Sequence, residues 1–249
     1  MKQVSHRQYR NPRILEAVCE WQFATPTDWN VVVYGAFYSM VKDLGFQRAE
    51  QIPSIAVRLD STRQQTDVTV SHILVRYTHE NERLLLHLGP DSLTVNHLAP
   101  YPGWETFKPQ ALLALEKLIQ LVPSIQIRRA ILRYINHFEF PSTDLDVAEW
   151  FTAYLVAPDL GVPKGTFLLR QEYAVEPGCV LSVTSGLAHS AQHDRVAVLL
   201  DLEYQMLAET VLWGMEQMDS SLEKAHEAIY AAFESSITER ARTLLEEVQ

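Results

Sequence analysis

Two histidines and an aspartate lie close together in the segment AHSAQHD, at His189, His193 and Asp194. Imidazole and carboxylate groups are common zinc ligands, and an HxxxH pair places both rings on one side of a helix. Here the pair lies between two predicted strands, and the glutamate that a metalloprotease needs is missing. The pattern therefore favours a solvated hairpin loop, leaves His189 and His193 as weak metal candidates, and predicts no cofactor.

A second polar group consists of Glu20, Arg133 and His137, which lie on two strand-like segments. A histidine near a carboxylate can act as an acid or a base, and an arginine can hold an anion. The same residues can instead be structural partners, because buried or half-buried arginines are usually paired. We favour structural pairing, and Glu20, Arg133 and His137 are the candidate ligand-binding residues if this junction also holds a ligand.

Basic and aromatic side chains could also contact a nucleic acid. Arg129 and Arg133 share one strand face while Arg128 points to the other, so the three do not form one basic stripe. Tyr101 and Trp104 could stack on bases, but their place at the start of an amphipathic helix favours packing in the core. The chain has no glycine-rich phosphate loop, no GxSxG motif and no convincing pair of catalytic carboxylates. No catalytic residue is predicted, and the question of enzyme activity stays open, with the balance against it.

Charge is distributed unevenly along the 249 residues. Residues 1–124 contain 12 basic and 12 acidic side chains, whereas residues 125–249 contain 9 and 19, so the second half carries the whole net charge of −10. Residues 203–249 form the most acidic segment. Because non-specific binding to a phosphate backbone needs clustered cations, this distribution disfavours nucleic acid as a partner.

The N-terminal arm is short and basic. Four cations there have no acid among them: Lys2, Arg7, Arg10 and Arg13. We expect a solvated tail rather than a docking element. The arm lacks the apolar core of a signal peptide, and no run of the chain reaches the length of a membrane span. The two cysteines, Cys19 and Cys179, fit a reducing compartment. A cytoplasmic protein without membrane contacts is therefore expected.

The segment Ile14–Phe23 alternates residues with a period of two, as a strand with one buried face does. The same pattern returns at Ile131–Phe140, and in both places a Thr-Asp pair then leads into an apolar helical pattern. This echo predicts an internal duplication. In the first copy the predicted core face carries Leu15, Ala17, Cys19, Trp21 and Phe23.

Hydrophobic periodicity predicts the other elements. In the first half, two helices flank four strands of an antiparallel meander: helices Trp29–Leu44 and Trp104–Leu121, and strands Ser54–Asp60, Val68–Thr78, Leu84–Leu88 and Ser92–Leu98. In the second half, four strands accompany two helices: strands Ile125–Phe140, Thr166–Val175, Cys179–Gly186 and Arg195–Met206, and helices Asp146–Val156 and Asp219–Glu247. The segment Leu207–Met218 fits either a short helix or irregular structure.

These elements predict an α+β fold of two tandem β-α-β(3–4)-α repeats, residues 1–124 and 125–249, packed as one globular unit. Each repeat would place its helices on one face of an antiparallel sheet, and a pseudo-two-fold axis would relate the repeats. The order looks like the duplicated arrangement of TATA-binding-protein-like folds. If the two echoed strands are antiparallel neighbours, Glu20 would lie opposite Arg133 and Glu16 opposite His137, each ion pair contributing about 0.2–1 kcal/mol.

Three stretches carry a resemblance to a known family: NPRILEAVCEWQF at Asn11–Phe23, LLLHLGPDSLTVNHLAPYPGWETF at Leu84–Phe107 and LRYINHFEFP at Leu132–Pro141. Together they resemble a sporadically distributed bacterial protein family of unknown function, whose members have a similar length and share these motifs in the same order. Arg13 stands where that family tends to have a second proline, and His137 stands where it often has arginine. The resemblance implies no activity and no catalytic residues.

Three functions follow from these observations. The leading prediction is a non-enzymatic interaction or regulatory protein of a sporadically inherited bacterial system, of the antitoxin or defence kind, that binds a protein partner. A homodimer is a further option, because sheet edges and a long amphipathic helix invite pairing. The second function is nucleic-acid binding on a saddle-like sheet. The third is an enzyme or small-ligand binder with its site at the repeat junction.

Overall fold

The computed structural model describes residues 7–26, 28–60, 65–141, 145–153, 167–190, 194–207 and 214–247, with side chains placed for all of these except 53–60, 65–72 and 188–189. Nine strands, four α-helices and one 3₁₀ turn lie within these residues. The predicted α+β class is confirmed. Residues 208–213, which are half of the segment Leu207–Met218 that the sequence leaves ambiguous, lie outside the described residues.

All nine strands belong to one antiparallel sheet. In chain order they are β1 (Ile14–Phe23), β2 (Phe46–Asp60), β3 (Gln65–His79), β4 (Leu84–Leu88), β5 (Ser92–Leu98), β6 (Ile127–Pro141), β7 (Leu168–Glu176), β8 (Cys179–His189) and β9 (Arg195–Leu207). Across the sheet the order is β2-β3-β4-β5-β1-β6-β9-β8-β7. The edge strands are therefore β2 and β7, and β1 lies at the centre although it is the first strand of the chain.

The prediction of two tandem repeats about a pseudo-two-fold axis, in a TATA-binding-protein-like arrangement, is wrong. β1 pairs with β5 on one side and with β6 on the other, so the strands form a single continuous sheet. The predicted helix Asp146–Val156 is a 3₁₀ turn at Val147–Glu149 within the described residues 145–153. Phe151 then forms a β-bridge with Ile237, which draws the backbone out of a helical path. The division at residue 124 stays a prediction.

The predicted ion pairs between β1 and β6 are also wrong, because the register differs by two residues. The observed register places Glu16 opposite Ile135, Val18 opposite Arg133 and Glu20 opposite Ile131. Arg133 instead donates two hydrogen bonds to Asp201 in β9, with Nε–Oδ1 and Nη2–Oδ2 distances of 2.8 and 2.6 Å. No hairpin loop joins β1 to β6, so no local turn geometry selects their register.

Four helices accompany the sheet: α1 (Val32–Lys42), α2 (Trp104–Leu121), α3 (Met215–Ser236) and α4 (Glu239–Leu245). The predicted bounds of α2 are confirmed. The single C-terminal helix that periodicity predicts is two helices, because Ile237 is extended and the Thr238 hydroxyl accepts a hydrogen bond from Ala241 N to begin α4. Buried residues continue at helical spacing on both sides of this break, which hides it from a periodicity search.

The core lies between the helices and one face of the sheet. On β1 this face carries Ala17, Cys19, Trp21 and Phe23, which are buried as predicted. Leu15, predicted for the same face, is 48% exposed, because the pairing with β6 shifts between Ile14 and Glu16 and breaks the alternation there. We call the opposite face the polar face. It carries Glu16 and Glu20 on β1, Arg133 on β6, and Asp201 and Glu203 on β9.

The N-terminal arm packs on the C-terminal helices, so the expectation of a solvated tail is wrong for its described part. The backbone N–H groups of residues 10 and 11 each donate a 3.0 Å hydrogen bond to the C-terminal end of α4. The Arg7 guanidinium lies 2.9 Å from the Glu247 carboxylate, and the Tyr9 hydroxyl donates to Glu234 at 2.6 Å. Acidic residues of the second half therefore hold the basic arm against α3 and α4.

Candidate ligand-binding site

A cavity of about 560 Å³ lies between the N-terminal arm, α2, α3 and the helix-facing side of β6. Its walls include aromatic rings from three parts of the chain: Tyr101 and Trp104 just before and at the start of α2, Tyr134 on β6 and Phe233 on α3. Polar side chains also reach it, among them Arg13, Asn136 and His226. Because both ends of the chain contribute walls, the cavity forms only when the whole fold is assembled.

Each side chain of the cavity is placed by its element. Tyr134 is on the buried face of β6 and points to the helices. Trp104 is the first residue of α2, after Gly103, whose φ of 94° lies in the left-handed region that favours glycine. His226 lies one turn after Leu222, on the side of α3 that faces the sheet. A sheet face, a helix start and a helix stripe therefore converge on one space.

Two phenols and an imidazole form a hydrogen-bonded series in this cavity. The Tyr101 and Tyr134 hydroxyl oxygens are 3.0 Å apart, and the Tyr134 hydroxyl lies 3.2 Å from His226 Nδ1. Burial raises the pKa of Tyr101 and of Tyr134 above the ordinary value for a phenol. Both hydroxyls are therefore neutral at pH 7, where they act as hydrogen-bond donors and acceptors rather than as bases or nucleophiles.

Trp104 is buried, and contacts with neighbouring side chains fix the position of its ring. Its indole stacks on the His226 imidazole with ring centroids 4.4 Å apart and planes 8° apart. The Trp104 Nε1–H donates to Glu223 at 3.0 Å, and Lys108 contacts both Glu223 and Asp219. Burial alone would raise the pKa of Glu223. The hydrogen bonds from Lys108 and Trp104 outweigh this effect, so the pKa of Glu223 lies below its ordinary value. The ionised carboxylate therefore anchors the indole at neutral pH.

Arg13 brings a cation to the cavity. Its Nε is buried and has no hydrogen-bond partner among the described residues, although its backbone carbonyl accepts a 2.8 Å hydrogen bond from His137 N. The other arginine of the wall, Arg7, contacts Glu247. A buried N–H without an acceptor costs free energy, so the Arg13 guanidinium is the group best suited to bind an acceptor on a ligand.

This arrangement suits the binding of a planar molecule. Ligand cavities combine apolar and aromatic walls with a few polar groups that set the ligand's orientation. Here the rings give flat walls, the Tyr101 and Tyr134 hydroxyls offer neutral hydrogen bonds, and Arg13 offers a charged one.

The structure places the three residues predicted to bind a ligand on the polar face, on the other side of the sheet from this cavity. Arg133 is occupied by Asp201, and Glu20 accepts a 2.6 Å hydrogen bond from Gln22 Nε2. Glu20 and Arg133 lie on neighbouring strands without being opposite each other, and His137 is further along β6. Ligand binding by Glu20, Arg133 and His137 stays a prediction.

The two histidines predicted as weak metal ligands, His189 and His193, lie at the border of the described part of the chain or outside it. His189 ends β8 with its side chain outside the described part, and His193 lies outside it entirely. Within the described ranges, no group of three or more His, Cys, Asp or Glu side chains is arranged to hold a metal ion. Metal binding by His189 and His193 stays a prediction.

Periodicity alone did not identify His226 as a cavity residue. The signal that could have found it is its spacing, since it lies four residues after Leu222 and three before Ile229, within the apolar stripe of α3. A histidine at a stripe position is often buried, and a buried imidazole needs a polar partner. Tyr101 and Trp104 were expected to pack in the core, and the structure adds that they also line the cavity.

Comparisons with known proteins leave the family open. No protein-family model matches the sequence, and no curated protein matches it significantly. Among solved structures, the chain is similar to the "di-domain ARO/CYC StfQ from the steffimycin biosynthetic pathway", with 12% sequence identity, coverage of 86% of this chain and 93% of that chain, and a TM-score of 0.16. A TM-score this low supports no conclusion about fold or function. In the described ranges, no helix has both the length and the apolar character to cross a membrane.

Proposed function

We propose that this protein is a regulatory protein that binds a small planar molecule in the cavity beside β6. The observation that carries the proposal is the series Tyr101, Tyr134 and His226, in which Tyr134 is buried, Tyr101 and His226 are half-buried, and His226 stacks on the Trp104 ring. Buried polar groups cost free energy unless all of them are paired, so a core built only for stability contains few of them. Their concentration around a cavity favours a recognition role.

The size and chemistry of the cavity support a small aromatic or heteroaromatic ligand. Its volume of about 560 Å³ lies inside the range of roughly 300–1,000 Å³ that is typical of small-molecule sites. The aromatic side chains of the wall provide apolar contacts, and the phenols provide hydrogen bonds. The buried Nε of Arg13 supports an acceptor on the ligand, such as a carboxylate or a carbonyl oxygen.

A regulatory role is supported by which elements form the walls. The N-terminal arm, α2 and α3 each contribute one part of the cavity. A ligand that contacts all three would stabilise the docked arm, because binding to one arrangement of a protein favours that arrangement. The ligand would then alter the surface that the arm and the C-terminal helices present to a partner.

The first experiment asks whether the protein carries a ligand. Protein purified under native conditions is denatured, and the released small molecules are identified by mass spectrometry. An aromatic compound present in an equimolar amount is expected, and less of it should remain bound to protein with Tyr134→Phe, which lacks one of the two phenol hydroxyls. A protein preparation free of small molecules would leave the second experiment to decide.

The second experiment measures binding of 8-anilinonaphthalene-1-sulfonate, an anion with a planar naphthalene ring, by fluorescence titration. Arg13→Ala should weaken binding about tenfold or more, because a hydrogen bond to a charged group contributes about 1.5–3 kcal/mol. The matched control is Arg10→Ala, on the same arm but outside the cavity, and it should leave the affinity unchanged within about twofold. Equal affinities in the two variants would contradict the proposal.

Nucleic-acid binding on the sheet has less support as an alternative. The chain has a net charge of −10, and cations on the polar face already have acidic neighbours, as Arg133 has Asp201 and Arg170 has Glu203 at 3.7 Å. A fluorescence-anisotropy titration at low salt tests this alternative, because electrostatic binding would be strongest there. A protein partner for the acidic C-terminal helices likewise stays a proposal.

A further inference from the structure

The two edges of the sheet are protected to different degrees. Edge strands expose unpaired backbone groups, and proteins commonly block them with proline or with bulges. β2 has both, since Pro53 lies in the strand and its pairing with β3 shifts between Pro53 and Ile55. β7 contains no proline and pairs regularly with β8 from Leu168 to Ala174. In the described sheet, β8 is its only neighbour.

The outward-pointing backbone groups of β7 can be assigned from its pairing. Leu187 N donates to Phe167 O at 3.1 Å, so residue 167 bonds towards β8. In an antiparallel ladder the bonding direction alternates from residue to residue. The N–H and C=O groups of residues 168, 170, 172 and 174 therefore point away from β8. The strand is also accessible, with Leu168 and Tyr173 exposed to 75% and 46%.

We infer that β7 pairs antiparallel with β7 of a second copy of this chain, about a two-fold axis at Gln171. In such a symmetric pair, each outward-pointing residue must lie opposite an outward-pointing residue of the second copy. Over the regular part of the strand, this condition allows the two-fold axis to pass through residue 170, 171 or 172. Centring on 170 would oppose two Arg170 side chains, and centring on 172 would oppose two Glu172 side chains. Only the register centred on Gln171 places Arg170 opposite Glu172 of the second copy, and it does so twice.

Side chains on both faces of β7 suit this register. On the polar face, Arg170 Nε already lies 3.0 Å from Glu172 Oε1 within one copy. Two copies would therefore bring four alternating charges together. On the other face, Leu169 would lie opposite Tyr173 of the second copy, an aliphatic and aromatic pair of the kind that stabilises antiparallel strands. The resulting dimer would contain one sheet that runs through both copies.

The charge pattern allows a swap experiment. Sedimentation velocity of the full chain gives the dimer dissociation constant for the wild type, Arg170→Glu, Glu172→Arg and the double variant. Each single variant opposes like charges twice and should weaken the dimer about tenfold or more, whereas the double variant restores both pairs and should come within about threefold of the wild type. Arg48→Glu, which makes the same charge change on the β2 edge, should have no effect.

A cross-linking experiment tests the register without changing any charge. Residues at a symmetric non-hydrogen-bonded position have Cα atoms about 4.5 Å apart, which is close enough for a disulfide. Gln171→Cys should therefore form a covalent dimer under mild oxidation, and Gln51→Cys on β2 should not. Cys19 and Cys179 are buried and do not compete.

Several results would overturn the inference. They are a wild type that sediments as a monomer, single charge variants that dimerise like the wild type, a double variant that does not recover, or Gln171→Cys that stays uncross-linked. Far-UV circular dichroism confirms that each variant is folded. The dimer does not involve the cavity, so its failure would leave the proposed ligand site untouched.

Discussion

The Tyr134 hydroxyl joins the polar groups of the cavity, because it contacts both the Tyr101 hydroxyl and the His226 imidazole. We predict that Tyr134→Phe lowers the free energy of unfolding by about 1–2 kcal/mol, since the Tyr101 hydroxyl loses a buried hydrogen-bond partner. Urea denaturation measures the change. Tyr38→Phe is the control, because the Tyr38 hydroxyl bonds to Gln47 O at the surface and its loss should cost less than about 0.5 kcal/mol. Equal losses in the two variants would contradict the prediction.

The lowered pKa of Glu223 predicts a pH-dependent contribution to stability. Burial acts to raise this pKa, and the hydrogen bonds from Lys108 and Trp104 more than compensate. A carboxyl whose pKa is lower in the folded state stabilises the fold above its ordinary pKa of 4.5, and this stabilisation is lost as the pH falls through the folded-state value. The destabilisation caused by Glu223→Gln should therefore be largest above pH 4.5 and should shrink in more acidic buffer.

Lys108→Met provides the check on this pH effect. If Lys108 is the group that favours the charged form of Glu223, Glu223→Gln should have a much smaller pH-dependent effect in the Lys108→Met background. Denaturation of the four proteins of this double-mutant cycle, at neutral and at acidic pH, isolates the pairwise interaction. An unchanged pH dependence in that background would assign the effect to another group.

Single-residue roles could be predicted only where they depend on local pattern. Alternation along Ile14–Phe23 correctly assigned Trp21 and Phe23 to the core. It could not assign the partner of Arg133, because Asp201 reaches it through the pairing of β6 with β9, far along the chain. The place of His226 in the cavity could not be predicted for the same reason, since its neighbours Trp104 and Tyr134 come from other elements.

At the scale of an element, substitution of two glycines in and after α1 is expected to change stability in opposite directions. Gly45 follows α1 with φ of +98°, and a Cβ there would lie 2.4 Å from His79 Nε2. Gly45→Ala should therefore destabilise the protein by about 1–2 kcal/mol through its left-handed backbone. Gly35 lies inside α1 with no atom within 4 Å of an added Cβ, so Gly35→Ala should stabilise by about 0.5–1 kcal/mol. Thermal unfolding of both variants measures the signs, and equal signs would contradict this account.

Elements were predictable where periodicity and turn residues agree. The bounds of β4, β5 and α2 match those predicted, because each is flanked by Gly, Pro or polar residues. The break between α3 and α4 was not predictable from periodicity, since Ile237 and Ala241 continue the buried spacing while the Thr238 cap interrupts the backbone. Helix propensity is a weak local preference, and tertiary contacts decide where a helix begins and ends.

At the scale of the whole molecule, the continuous sheet predicts cooperative unfolding. β1 pairs with β5 and β6 over most of its length, so neither the first nor the second half of the strands can separate without losing a central ladder. Differential scanning calorimetry should show one transition with calorimetric and van't Hoff enthalpies in agreement. Two resolved transitions would show that the halves unfold independently.

The order of the strands in the sheet could not be predicted from the sequence, because it depends on which distant strands become neighbours. The echo between Ile14–Phe23 and Ile131–Phe140 indicated related strands, but the period of two is equally satisfied by registers that differ by two residues. The second half was expected to repeat the helix of the first, and the bridge between Phe151 and Ile237 replaces it. Long-range contacts of this kind have no local sequence signature.

The central place of β1 has a consequence for synthesis on the ribosome. β1 ends at Phe23 and leaves the exit tunnel well before β6, which begins only at Ile127. Until then the nascent chain holds a strand with one apolar face and one unpaired edge, because its second neighbour has not been made. Exposed apolar surface and unpaired strand edges make a partly folded chain prone to aggregate. Synthesis of β6 therefore covers the free edge of β1, and synthesis of β9 later covers the free edge of β6.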